Sequence, residues 1–240
     1  MVKRSVVLIT VLAVVVLTGG ALKALAQQPP PAPEPPAEPD YILPFASDPG
    51  TDSWYIVQWY GNTTTAYHYR VEWYRAGQGL HFGLDLSAPC GTEIRAIQTG
   101  TVAFVDDEGH GAGPHNLMID HPDGFSSLYG HLLERTSVEP GDVVQQGDVV
   151  ALSGDPDLSC TSRPHLHLEI RDKTRHYAYN PVDFIDADWD TLSLFGPRSG
   201  FQRDLEHPDR WLTPYDQPIV DFWSPMVNDY WNVWPPDWAR

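Results

Sequence analysis

Cysteine is nearly absent from this 240-residue chain, which has only Cys90 and Cys160. That excludes a disulfide-dense mini-scaffold and any four-cysteine zinc knot. Basic residues are scarce too: 15 lysines and arginines against 32 acids give a formal net charge of −17. Such a balance argues against electrostatic capture of nucleic acid or anionic lipid. No long amphipathic helix can be traced, and the one long hydrophobic run lies near the start. Proline (23 residues) and tryptophan (nine) are plentiful and unevenly placed. The length suffices for one sizeable domain with appendages.

The ends read as distinct segments. Lys3 and Arg4, the apolar run Val6 to Thr18 and the small-x-small Ala24-Leu25-Ala26 predict a signal peptide over residues 1–26. The alternative is an uncleaved anchor, because Ser5 to Leu22 is 18 residues without a charge, close to the roughly 20 that span a bilayer. Either way the body is expected outside the cytoplasm, secreted or in the cell envelope. Removal of residues 1–26 leaves a charge of −20 and a single lysine, Lys173. Residues 27–43 form a linker with seven prolines between Pro29 and Pro39, a composition that favours an extended polyproline spacer. The main domain is assigned to residues 44–190 and a Trp-rich extension to 191–240. That extension holds Trp211, Trp223, Trp231, Trp234 and Trp238, and it is expected either to pack on the domain or to present rings to a glycan or the cleft.

Between about Tyr41 and Asp190 short runs alternate with turn residues, which predicts a mainly β, antiparallel domain. Expected strands include Gly91 to Ile97, Gly100 to Val105, and the pair His115 to Asp120 and Phe125 to Leu132 around the turn Pro122-Asp123-Gly124. Gly141-Asp142-Val143-Val144 returns six residues later as Gly147-Asp148-Val149-Val150. His165-Leu166-His167-Leu168-Glu169-Ile170 alternates strictly, as a half-buried strand should.

Of the ten histidines, four stand in tighter arrangements. His81 and Asp85 are four apart, which on a straight strand is about 13 Å, too far for one ion. Gly83 between them allows a bend or bulge that folds the two side chains together. His165 and His167 project from one face of their strand, with Leu166 and Leu168 toward the core, while Glu169 reads as a surface partner. His131 follows Tyr129-Gly130 at the end of the second hairpin strand.

Taken in order, His81-x-x-x-Asp85, Tyr129-x-His131-Leu132 and Pro164-His165-Leu166-His167 resemble the lysostaphin-type (LytM-like) zinc metalloendopeptidases that cut peptidoglycan peptides. The intervening Gly91-Thr92, Gly100-Thr101-Val102 and Pro140-Gly141-Asp142-Val143-Val144 agree, and the resemblance covers about Leu80 to Pro181. It implies a β-sandwich of the duplicated-hybrid-motif type, Zn2+ as cofactor, metal ligands His81, Asp85 and His167, and catalytic histidines His131 and His165. Two imidazoles and a carboxylate leave one position open, the catalytic rather than structural pattern for zinc. The implied function is an exported zinc endopeptidase acting on peptidoglycan stem peptides or cross-bridges. The alternative is an inactive wall-binding or amidase-activator module on the same fold. The expected partner is a peptidoglycan peptide substrate, with no nucleic acid, and no membrane unless the first segment is retained as an anchor. Meeting of the two motifs at one zinc would bring Cys90 and Cys160 together, so a disulfide is expected in an exported protein. Departures from the family pattern sit in loops: Tyr74 to Gly79 replaces a Gly-x-Arg stretch, and Asp155 to Arg163 carries Cys160 and Arg163 instead of a Ser-Thr-Gly run.

Overall fold

Strict alternation from His165 onward calls for a strand with a leucine face and a polar face. The computed structural model describes residues 32–196, 200–207 and 209–229, and it contains that strand as His165–Asp172. In chain order the strands are β1 (Tyr55–Gln58), β2 (Leu84–Ser87), β3 (Glu93–Arg95), β4 (Gly100–Val105), β5 (Asn116–Asp120), β6 (Phe125–Gly130), β7 (Val143–Val144), β8 (Val149–Leu152), β9 (His165–Asp172), β10 (Tyr177–Tyr179) and β11 (Val220–Asp221). One sheet runs β1-β2-β9-β6-β5-β4-β7, with β10 pairing β9 and β11 pairing β10, while β3 and β8 form a second, two-stranded sheet. All pairings among these strands are antiparallel. Helices among the described residues are limited to Thr64–His68, Trp189–Leu192 and three 3-10 turns. The mainly β antiparallel class expected from the sequence is what the chain adopts. The anticipated signal segment, Pro29 to Pro31, and Trp231, Trp234 and Trp238 lie outside the described residues.

The expected hairpin is β5–β6. Its turn closes through the Phe125 N–H donating to Asp123 Oδ1 (3.1 Å) and the His121 N–H donating to the Phe125 carbonyl (2.8 Å). The repeated Gly-Asp-Val-Val is one turn device used twice. Asp142 accepts from the Glu139 N–H at 2.9 Å, and Asp148 accepts from the Gln145 N–H at 2.8 Å. The first copy leads into β7 at the edge of the large sheet, the second into β8 of the small one.

The apolar face of the large sheet contributes Leu84, Leu86, Val102, Leu117, Ile119, Tyr129, Leu166, Leu168 and Ile170 to one buried cluster. Ile94, Val150 and Ala151 of the small sheet join it, as do Tyr41, Phe45 and Trp54 from upstream and Phe184 and Trp189 from downstream. Full burial of each leucine or isoleucine contributes about 1.5–3 kcal/mol. Because period-two alternation puts the leucines of β2 and β9 inward, Asp85, His165 and His167 all emerge on the opposite face. Packing of the core therefore aims the polar side chains.

Downstream of the helix at Trp189–Leu192, the chain returns to the sheet. Val220 and Asn228 are fully buried, and Phe222 and Leu212 nearly so. The Tyr60 hydroxyl accepts from the Val220 N–H at 3.0 Å, and the Asn228 amide donates to the Gly79 carbonyl at 2.6 Å. The tryptophans divide: Trp54 and Trp59 are buried, whereas Trp223 is 83% exposed.

Candidate functional site

The register of β9 with its neighbours assembles the site. His167 lies directly opposite Asp85 across the β2–β9 ladder and opposite Gly130 across the β6–β9 ladder. Asp85 thus comes from one side, and His131, the residue after Gly130, from the other. His165, two positions before His167, projects from the same face. Non-adjacent stretches meet because the sheet order places β9 between β2 and β6.

His81 reaches the site through the bend anticipated at Gly83. The chain pairs His81 with Gly61 in an isolated bridge, bends at Gly83, and enters β2 only at Leu84. This brings His81 Nε2 to 3.3 Å from Asp85 Oδ1. Glycine is required at 83 because of a close approach. A Cβ there would sit 2.6 Å from His167 Cε1, 2.7 Å from its Nε2 and 2.9 Å from the Leu168 carbonyl oxygen.

His81, Asp85 and His167 are buried, and each offers a ligand atom within 4.8 Å of the others. The individual separations are 3.3 Å for His81 Nε2 to His167 Nδ1, 3.3 Å for His81 Nε2 to Asp85 Oδ1, and 2.6 Å for His167 Nδ1 to Asp85 Oδ1. Zinc bonds of about 2.0–2.1 Å in a tetrahedron need ligand atoms about 3.3 Å apart. Two edges already have that length, and the third, now a hydrogen bond, would need to open by about 0.7 Å to hold the ion. Two ring nitrogens and one carboxylate oxygen are donor types that zinc accepts, so the residues fit the metal.

The far side of each ring is anchored. His81 Nδ1–H donates to the Trp59 carbonyl (2.7 Å), which leaves Nε2 facing the site. His167 Nε2–H donates to Glu169 Oε1 (3.1 Å), and Glu169 Oε2 accepts from Arg171 Nε–H at 2.6 Å. These are the supports that fix tautomer and ring orientation in metal sites. Glu169 therefore differs from the surface partner expected of it: it is fully buried. The reason is that the polar face of β9 is covered at its far end, where Arg171 lies over the Phe222 ring and donates to the His110 carbonyl at 3.0 Å. The alternation that puts His165, His167 and Glu169 on one face was legible in the sequence, and what covers that face was not.

Burial opposes ionisation of Asp85, but the His81 and His167 imidazoles together hold its carboxyl well below the usual range. For His167, burial opposes the charged form and the Asp85 and Glu169 carboxylates outweigh it, so the imidazole is pushed up to about 10. His131 moves the other way, to about 4, through burial first and the neighbouring His167 and His165 rings second.

His131 and His165 form a second rank, their ring centroids 4.8 Å apart and that of His131 5.8 Å from His167. Both have Nδ1–H donated to a backbone carbonyl, His131 to Gly113 (2.5 Å) and His165 to Arg163 (2.7 Å). His165 Nε2 stands 3.9 Å from Asp85 Oδ2. His131 takes a left-handed backbone (φ 58°), and its N–H is held by the Ala112 carbonyl at 2.8 Å. All five residues line one cleft of about 780 Å³, whose walls include Gln58, Trp73, Tyr74, Ser162 and Arg163. Cys90, just after β2, and Cys160, in the loop before β9, are joined as a disulfide. The bridge ties together two loops flanking the strands that carry the cluster.

Part of the chain is similar to known proteins. Residues 79–181 match the model of peptidase family M23, nearly the span over which the sequence resemblance was drawn. An uncharacterized metalloprotease of Haemophilus influenzae is 35% identical over 120 residues, 50% of this chain and 22% of that protein. The DD-carboxypeptidase/endopeptidase Mpg of Neisseria meningitidis is 38% identical over 92 residues, 38% of this chain and 20% of that protein. Lysostaphin of Staphylococcus simulans is 27% identical over 111 residues, covering 45% of this chain and 22% of that protein. Its solved catalytic domain aligns with a TM-score of 0.43 at 23% identity, over 54% of this chain and 90% of the domain. The chain thus spans about a fifth of the length of these curated relatives.

Proposed function

Starting from a chain that carries a domain of peptidase family M23 at residues 79–181, we propose that it is an exported zinc-dependent endopeptidase that hydrolyses peptide bonds in peptidoglycan stem peptides or cross-bridges. The observation that carries this reading is the pairing of a candidate three-ligand cluster, His81, Asp85 and His167, with two further imidazoles beside it, His131 with its ring centroid 5.8 Å from that of His167 and His165 with Nε2 3.9 Å from Asp85 Oδ2. A structural metal site has no use for that second pair. The names of the relatives, a metalloprotease and a DD-carboxypeptidase/endopeptidase, support the same chemistry.

His81, Asp85 and His167 would hold the metal, which when bound supplies an acidified water and a positive charge to polarise a peptide carbonyl. His131, neutral at ordinary pH, would accept a proton at Nε2 or donate a hydrogen bond once protonated, and His165 has its Nδ1 anchored to a backbone carbonyl in the same way. One takes the proton of the attacking water and the other stabilises the developing oxyanion or protonates the leaving amine. Their anchored Nδ1 atoms keep both rings aimed, so little reorganisation is needed during reaction. The disulfide supports an oxidising, extracytoplasmic setting.

The test is incubation of the purified protein with isolated peptidoglycan, with and without a chelator, followed by chromatography of the released peptides. Zinc-dependent release of new amino termini is expected. Release that survives both chelation and His167→Ala would contradict the metal mechanism, and no release from any wall type would favour a wall-binding role.

A further inference from the structure

Arg163 is the cationic side chain among the residues lining the cleft, in a chain of net charge −17. Its position is built from both sides. The N–H donates to Asp155 Oδ2 at 3.2 Å, and the carbonyl accepts from His165 Nδ1–H at 2.7 Å. Asp155 also accepts from the Ser162 N–H at 3.2 Å and the Ser162 hydroxyl at 2.8 Å, which fastens the loop. The guanidinium lies over the Trp73 ring, 5.1 Å from its centroid, and that indole is stacked on Tyr69 at 3.8 Å. A cation–π contact of this kind uses no hydrogen-bond acceptor, so it does not by itself consume the N–H donors of the guanidinium. No carboxylate among the described residues forms an ion pair with it, although Arg70, Arg135, Arg171, Arg175 and Arg210 each have one.

Resting on the endopeptidase reading, we propose that Arg163 is a specificity-determining residue that receives a carboxylate of the bound peptide, so that the preferred substrate is an anionic peptide. The donor fork of an arginine matches a carboxylate bidentately. A guanidinium held over an indole, with its backbone fastened on both sides, has already lost part of the freedom that such a pair would otherwise cost. Asp85 is the acidic residue in the cleft, and as a metal ligand it does not compete for the guanidinium.

The experiment uses two preparations of the same purified peptidoglycan peptides, one native and one with its carboxylates amidated by a carbodiimide and ammonia. Zinc-loaded wild type is expected to cleave the native peptides about tenfold to a hundredfold faster, the range of a charge-assisted hydrogen-bonded pair. Arg163→Gln should bring that ratio close to one, with zinc content and melting temperature unchanged, and Arg163→Lys should restore only part of it. An unchanged ratio in Arg163→Gln overturns the proposal. Affinity of zinc-loaded His131→Ala for both preparations, with and without Arg163→Gln, is read separately by fluorescence anisotropy. A preference for native peptides that Arg163→Gln abolishes supports the carboxylate assignment even without cleavage, which would count only against the hydrolytic reading. Equal affinity for the two preparations overturns the assignment.

Discussion

Substitution of Gly83 by alanine adds one methyl group at the point where the chain bends between two ligands. The new Cβ would lie 2.6 Å from His167 Cε1 and 2.9 Å from the Leu168 carbonyl oxygen. Carbon atoms settle at about 3.5–4.0 Å, so roughly 1 Å must be found. The Leu168 carbonyl belongs to β9, which is paired on both sides by β2 and β6, so it cannot withdraw. The imidazole of His167 has to move instead, away from its contacts with Asp85 and Glu169. Overpacking of this kind costs about 1–3 kcal/mol, a fall of roughly 2–12 °C in melting temperature for a domain of this size. Displacement of a ligand ring by about 1 Å is expected to weaken zinc at least as much as losing a supporting residue, about tenfold to a hundredfold. The assay is competition for zinc against a chromophoric chelator, with circular dichroism to show that the fold persists. Gly50→Ala is the control, because its Cβ meets only Ser53 Oγ at 3.4 Å. Wild-type zinc affinity in Gly83→Ala would refute the close-approach argument.

Other outcomes follow from the same structure. In the metal-free protein His167, pushed up to about 10, carries a proton at neutral pH. Zinc must displace it, so apparent affinity should rise about tenfold per pH unit between pH 7 and 9. Calorimetry in buffers of different ionisation enthalpy should register about one proton released per zinc. The sign for stability is opposite: the raised pKa stabilises the metal-free fold fully below about pH 6.5, and that contribution fades as pH climbs toward about 10. Glu169→Gln should lower zinc affinity about tenfold to a hundredfold by loosening the His167 ring. It should also destabilise by about 3–5 kcal/mol, since Arg171 is left buried without its carboxylate, as chemical denaturation would show. The Cys90–Cys160 bridge spans 70 residues, worth about 4 kcal/mol of unfolded-state entropy. The paired serine variant should therefore melt roughly 8–16 °C lower while still retaining zinc.

The five candidate residues are picked out by the resemblance of three ordered motifs to a known family, each motif being weak alone, and the fold brings them together because strands convert spacing into direction. His165 and His167 face one way because strands have period two, and Gly83 signalled that His81 need not stay 13 Å away. Strands bounded by turn signals or strictly alternating, β3 to β6 and β9, were legible for the same reason, and β7 and β8 showed only as the repeated Gly-Asp-Val-Val. β1, β2, β10 and β11 carry no such signal, and their pairing comes from β9 and its neighbours. Burial of Glu169 was hidden too, since what covers it, Phe222 and the His110 loop, lies 53 and 59 residues away in sequence. Backbone carbonyls that anchor the rings, those of Trp59, Gly113 and Arg163, leave no trace in residue identity.

The proposed function rests on one divalent ion being held by the cluster of two imidazoles and an aspartate. The direct measurement is zinc per chain by atomic absorption after loading and exhaustive dialysis, for the wild type, Asp85→Ala, His167→Ala and His131→Ala. One equivalent is predicted in the wild type and in His131→Ala, with well under one in Asp85→Ala and His167→Ala. A wild type that keeps no zinc, or ligand variants that keep a full equivalent, would contradict the account.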